Sequence, residues 1–236
     1  MLVCPTTRTK LLGFLPRGGE VVEIGVANGD FSQDILTESK PRRLHLIDPW
    51  EHQERTDYAN DPSNVAASAQ DDRFNAVLDR FRAQIDGGIV KVHRDYSEDA
   101  AIFFGDGQLD WIYIDGMHTV DAAYNDLVTY APKIREEGFI VGHDYTNHIQ
   151  AQHWNFGVVE AINRFVLEFG YEFVALTVEA FPTYVLTRSK DSARRLTEVL
   201  IRNVSAVIEI RDFPKRNDFQ HKSIALDKGS LVYPSF

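Results

Sequence analysis

Cysteine is almost missing from this chain. The single thiol, Cys4, cannot close an internal disulfide or build a cysteine-rich zinc site, and it fits a reducing compartment. The N-terminus lacks a basic stretch followed by an apolar one, so no secretory signal is expected. No apolar run approaches the roughly 20 residues that a membrane-spanning helix needs. Positive charge is also scarce, with 25 Lys and Arg against 35 Asp and Glu, a net charge of −10. A surface for polyanions requires clustered cations, so nucleic acid is not an expected partner. Internal repeats and low-complexity tracts are missing as well. These absences point to a soluble, cytoplasmic chain whose partners are neither membranes nor nucleic acids.

The chain has 236 residues, 44% of them hydrophobic, enough for one α/β domain with a short appendage. Short β-rich runs stand at Val21–Ile24, Leu44–Ile47, Ile89–Val92, Leu109–Ile114 and Phe139–Val141. Several are continuously apolar, as strands covered on both faces are. The apolar spacing from Val120 to Ile134 predicts a helix stopped by Gly138, and that from Val158 to Phe169 predicts one stopped by Gly170. Strands separated by helices imply right-handed crossovers and a parallel sheet. Glu172–Leu176 and Thr183–Thr187 follow closely enough to form an antiparallel hairpin. The expected fold is therefore a Rossmann-like, doubly wound, mostly parallel seven-stranded α/β sheet with a closing antiparallel hairpin. The main domain should run over 1–189. An extension over 190–236 should hold a helix near 191–202 and an apolar run, Val204–Ile210, suited to a homo-oligomer contact. The polar stretch 51–72 reads as a long loop of the kind that forms binding sites.

Four motifs carry chemistry. Glu23-Ile-Gly25-Val-Ala-Asn28-Gly29 ends the first strand before a helix, where glycines let the backbone approach a ligand and the helix N-terminus offers free N–H groups. It lacks the third glycine of a dinucleotide loop and the Gly-Lys-Ser/Thr of a phosphate loop. Asp48 ends the second strand, where an acid can hold the ribose hydroxyls of an adenosine; a turn residue before Pro49 is the structural alternative. Asp115 and His118 follow one strand, and His143, Asp144 and Tyr145 follow the next. All sit on the edge where doubly wound sheets bind ligands, so two carboxylates and an imidazole could hold a divalent cation or supply a base. Asp95 and Ser97 follow the third strand and could reach an adenine amino group, or Ser97 could cap a helix. The aromatic run His153–Gly157 is a candidate wall for a substrate, or plain core.

Together these residues resemble a class I S-adenosylmethionine-dependent methyltransferase from about Val21 to Arg188. More narrowly, Ile47-Asp-Pro-Trp50, Ile114-Asp-Gly-Met-His118 and Gly142-His-Asp-Tyr145 are similar to the group that contains the macrocin and mycinamicin sugar O-methyltransferases. The resemblance implies S-adenosylmethionine bound by Glu23, Gly25, Asn28, Gly29, Asp48, Asp95, Ser97 and Asp115. It implies Mg2+ on Asp115 and Asp144, His118 as the base that takes the hydroxyl proton, and His143 and Tyr145 beside a small-molecule acceptor. Catechol-type relatives carry Asn where this chain has Tyr145. A nicotinamide-dependent oxidoreductase on a similar sheet, and a non-catalytic methyltransferase-like binding protein, are the alternatives.

Overall fold

The computed structural model describes residues 1–226 and 229–236. Its strands are β1 (Leu2–Cys4), β2 (Glu20–Ile24), β3 (Arg43–Ile47), β4 (Val90–His93), β5 (Leu109–Ile114), β6 (Ile134–Gly142), β7 (Glu172–Thr177), β8 (Tyr184–Thr187), β9 (Ile208–Glu209), β10 (Gln220–Leu226) and β11 (Gly229–Ser235). The helices are α1 (Arg8–Leu12), α2 (Asp30–Glu38), α3 (Ala67–Arg80), α4 (Arg82–Asp86), α5 (Ser97–Ala100), α6 (Val120–Tyr130), α7 (Ile149–His153), α8 (Val158–Phe169) and α9 (Lys190–Asn203).

The main sheet has the order β4-β3-β2-β5-β6-β8-β7-β1-β9. Strands β4, β3, β2, β5 and β6 pair in parallel, and β8 runs antiparallel between β6 and β7. That is the expected seven-stranded sheet. Two further strands lengthen its edge, with β1 parallel to β7 and β9 antiparallel to β1. At three and two residues they are too short to show an apolar period, and only pairing defines them.

Strand β5 shows how a continuous apolar run serves two faces. Trp111 and Tyr113 pack into one core cluster, while Ile112 and Ile114 pack into the other, joined by Leu109 from beyond a register shift in the pairing with β6. From Trp111 onward alternate side chains point to opposite faces, so each cluster is the filling between the sheet and one helical layer. All five are buried, each contributing on the order of 1.5–3 kcal/mol relative to exposure. Helix α8 ends at Gly170 in the left-handed conformation, as expected.

Gly138 does not stop a helix. The chain leaves α6 through a 3-10 turn at Ala131–Lys133, which holds Pro132, and Ile134 already belongs to β6, paired with Leu109. The ring of Pro132 lacks an N–H, so the helical ladder cannot continue. At Gly138 a Cβ would lie 2.6 Å from the Asp110 carbonyl oxygen, so the glycine permits a close strand approach.

The segment after Lys190 packs on the same core. Helix α9 buries Leu196 and Leu200, and Phe213 and Phe219 join the opposite cluster. Within the apolar run, β9 pairs with β1 while Val204 and Val207 pack partly against the core. Among the described residues, strands β10 and β11 pair with each other only. Among the described residues, no helix is long and apolar enough to cross a membrane.

Candidate functional site

The chain runs outward from β2 to β4 and then returns to β5 beside β2. This reversal opens a crevice at the carboxyl ends of the strands. A cavity of about 850 Å³ lies there, lined by the ends of β2, β3, β5 and β6 and by the 51–66 segment. Small-molecule sites span about 300–1,000 Å³.

Gly25 is the tightest point of the cavity. Its φ is +82°, and a Cβ there would lie 1.9 Å from the Asp115 carbonyl oxygen. Only glycine allows the β2 loop to cross this close to the end of β5. Asp48 holds the same loop from the side: Oδ2 accepts from the Val26 and Ala27 amides at 2.9 and 3.0 Å, and Oδ1 from the Trp50 amide at 2.7 Å. Burial nevertheless pushes its pKa up. Asp48 lines the cavity, so one carboxylate shapes the turn and faces the space beside it.

Glu23, Asn28 and Gly29 do not line the cavity. Gly29 is the backbone cap of α2, Asn28 is exposed, and Glu23 is buried under the loop, accepting from the Ser32 hydroxyl at 2.5 Å. Gly29 shapes the turn, its amide donating to the Val26 carbonyl, and Glu23 ties the strand to the first turn of α2. Burial pushes the Glu23 carboxyl up to about 8. A carboxyl raised in the folded state stabilises fully below its unfolded pKa, and that stability is lost as pH rises through the folded value. Thermal stability should therefore fall between about pH 4.5 and 8, and Glu23→Gln should flatten that slope. An unchanged Tm–pH profile in the variant would place the titration elsewhere.

Asp115, His118, His143 and Asp144 do converge. His118 Nδ1 lies 2.9 Å from Asp61 Oδ2, and its Nε2 lies 2.7 Å from Asp144 Oδ2 and 3.6 Å from Asp115 Oδ1. The Asp61 contact is a well-formed hydrogen bond, whereas Nε2 is misaligned with Asp144 and has no satisfied partner. His143 Nδ1 is 3.2 Å from Asp144 Oδ1 and 3.7 Å from Asp115 Oδ1. Arg8 closes the far side, with Nη1 3.2 Å from Asp115 Oδ2. Burial opposes charge on both imidazoles, but the carboxylates win. Asp144 with Asp115 and Asp61 holds His118 well above the usual range, and Asp115 and Asp144 raise His143 to about 9. Burial likewise disfavours the Asp115 anion, yet His143 and His118 keep its pKa well below the usual range.

One ligand atom each from Asp115, His118 and Asp144 falls within 4.8 Å of the others, a spacing that fits one cation. Asp144 itself sits at φ +59°, a strained conformation for a residue with a Cβ. The next residues are pinned. The Tyr145 amide donates to the Pro182 carbonyl, and Asn147 both donates to the Phe219 carbonyl and accepts from the His221 amide. Strand β10 thus buttresses the loop that carries Asp144.

Tyr145 does not reach the cavity. It is fully buried, donates to Asn163 at 2.6 Å and packs on Phe173, Tyr184 and Phe219. The left-handed turn at Asp144 redirects the chain, so that Asp144 faces the site while Tyr145 faces the core. Asp95 and Ser97 line the other end of the cavity. The cap of α5 is Tyr96, one residue before Ser97, whose hydroxyl donates to Asp126 at 2.5 Å. Asp126 is buried, which pushes its carboxyl up to about 7, and it too lines the cavity. Asp61, Arg8 and Asp126 escape sequence reasoning. Asp61 reads only as turn chemistry before Pro62, Arg8 lies far upstream of any motif, and Asp126 sits within an ordinary helix.

A methyltransferase-domain family profile matches residues 22–145. That is more than half of the chain, and it spans the Gly25 loop, Asp48 and the Asp115–Asp144 group. The chain belongs to this methyltransferase family, which sets aside the oxidoreductase alternative. No curated protein matches it in sequence. Among solved structures it is similar to the N-methyltransferase NodS of Bradyrhizobium japonicum, with TM-score 0.54, 13% identity and coverage of 75% of this chain and 92% of that one. An O-methyltransferase family protein from Burkholderia thailandensis gives TM-score 0.53 and 14% identity, over 77% of this chain and 55% of the other. Fibrillarin from Aeropyrum pernix, with natively bound S-adenosyl-L-methionine, gives 0.51 and 12% over 73% and 67%. At these identities the likeness is one of Rossmann-like fold.

Proposed function

We propose that the chain transfers a methyl group from S-adenosylmethionine to a hydroxyl of a small molecule. The observation that carries this reading is a single cavity lined by Gly25, Asp48, Asp115, His118 and Asp144. The cofactor's methionine and ribose would lie along Gly25–Ala27 and Asp48, and its adenine toward Asp95 and Ser97.

Methyl transfer from a sulfonium is an in-line displacement, so oxygen, methyl and sulfur must be aligned in a closed site. An alcohol is a weak nucleophile until its proton starts to leave. Asp61 accepts from Nδ1 of His118, which holds that proton in place, so that Nε2, once it has lost its own proton, is the atom that takes the one from the acceptor. His143, on the cavity side of Asp144, would touch the acceptor. Asp115 and Asp144 would hold a magnesium ion, and their oxygen donors suit a hard cation. When bound, such an ion supplies stabilisation for negative charge developing on the acceptor oxygen.

Two measurements test this. Calorimetry with S-adenosylhomocysteine should show binding, weakened by Asp48→Ala; no binding at millimolar ligand would end the cofactor assignment. Activity should fall in EDTA and return with magnesium. Full activity in EDTA, with no response to the added ion, would remove the metal and leave the His118 base.

A further inference from the structure

Asp144 and His118 come within 2.7 Å of each other, and one segment of chain touches both. From Asp144 it passes Thr146 and Asn147, turns into α7 and arrives at His118. There the Gly157 amide donates to the His118 carbonyl at 2.7 Å, and the Phe156 ring stacks on the imidazole with centroids 4.1 Å apart. Trp154 and Phe156 line the cavity together with Phe181, beside His118, His143 and Asp144, so the aromatic run is a wall of the cavity. Both members of the Asp144–His118 pair therefore depend on where residues 145–157 lie.

The middle of that segment is gripped by β10, in the C-terminal extension. Asn147 Nδ2 donates to the Phe219 carbonyl at 3.0 Å, and its Oδ1 accepts from the His221 amide at 2.8 Å. The side-chain amide does what a neighbouring strand would do, satisfying a C=O and an N–H two residues apart on one strand edge. Thr146 Oγ1 lies 2.6 Å from His221 Nδ1, and both residues are buried. Apolar packing seats the strand. The Phe219 ring lies 4.8 Å from that of Tyr145, and Phe236 packs on Phe213 and Phe219.

Asp144 needs such a grip. A residue with a Cβ keeps a φ of +59° only where its surroundings over-determine it. On one side the His143 amide donates to the Ile114 carbonyl, and on the other the Tyr145 amide donates to Pro182. The Thr146 amide donates back to the Asp144 carbonyl at 2.7 Å, so a shift of Thr146 passes directly to Asp144.

We propose that the C-terminal extension is a working part of the site: β10 holds Thr146 and Asn147 as positioning residues, and through them sets Asp144 against His118. The role given to Asp144 rests on the methyltransferase reading, whereas the brace itself does not.

The test uses the full-length protein, labelled with nitrogen-15 and loaded with S-adenosylhomocysteine. The His118 ring resonances, identified by their loss in His118→Ala, are followed by NMR; they report the distance from Nε2 to Asp144. Asn147→Ala and Thr146→Val should each shift them, with S-adenosylhomocysteine affinity by calorimetry unchanged within about twofold. Thr146→Ser keeps the hydroxyl and should return them to the wild-type position. Leu200→Ala, on α9 in the other core cluster, should lower Tm at least as far and leave the resonances in place, which separates positioning from mere stability. Should Asn147→Ala not fold, Asn147→Asp retains the bond from the His221 amide, loses the one to Phe219, and should shift the same resonances. Resonances that stay put in the Asn147 and Thr146→Val variants, that move equally in Leu200→Ala, or that Thr146→Ser does not restore, overturn the inference. Failure of S-adenosylhomocysteine to bind the wild-type protein overturns the methyltransferase reading instead, and the same spectra without it still judge the brace.

Discussion

Gly25→Ala should abolish cofactor binding and cost the fold about 2–5 kcal/mol. The new Cβ would sit 1.9 Å from the Asp115 carbonyl oxygen, 2.4 Å from its carbon and 2.8 Å from the Gly116 nitrogen. All three are backbone atoms, so no side chain can swing aside. The left-handed φ adds about 1–2 kcal/mol for any residue with a Cβ, and forced overpacking adds about 1–3 kcal/mol. Relief would come only by moving β2 away from β5, which opens the switch point where the loop, Asp48 and Asp115 meet. S-adenosylhomocysteine affinity should fall more than about 100-fold, and Tm by roughly 5–15 °C for a chain of this size. Gly18→Ala is the control. It has a similar φ of +73° but nothing within 4 Å of the added atom, so it carries the backbone cost alone. Equal affinity loss in both variants would refute the steric argument.

His118→Ala should lower kcat by about 100- to 10,000-fold, the range for a positioned general base, with S-adenosylhomocysteine affinity unchanged. The variant also leaves Asp61, nearly inaccessible in the structure, without its hydrogen-bond partner, so a stability loss of about 1–3 kcal/mol accompanies it. Asp61→Asn separates the two effects. An amide can fill the same space, but it no longer favours the tautomer with Nδ1 protonated, so kcat should fall while Tm changes little. A His118→Ala enzyme with full turnover would transfer the base role to another group, His143 being nearest to the same carboxylates.

The reach of sequence reasoning follows from the range of each interaction. The strands from β2 to β8 were legible because apolar runs and their spacing are local, and the glycine loop because its turn is local. The false helix end at Gly138 has the opposite origin: the glycine makes room for the Asp110 carbonyl of the neighbouring strand as well as for Ile134 of its own, and the first of these is not a local signal. Tyr145 looked like a site residue because it follows Asp144, yet its direction is set by packing on Phe173 and Phe219. Asp61 and Arg8 are separated from their partners by 57 and 107 positions, so no motif links them.

By itself, then, the amino-acid order determined the alternation of strands and helices, the parallel sheet and the rim on which Gly25, Asp48, Asp115 and His118 would meet, because hydrophobic period and turn chemistry act between near neighbours. Only the tertiary structure decided which of the rim side chains face the cavity, that Asp61 orients His118, that the C-terminal strand braces the Asp144 loop, and that three aromatic rings stand beside the acids. Those outcomes depend on contacts across the sheet and between distant segments, where burial and register choose a direction that no local pattern encodes.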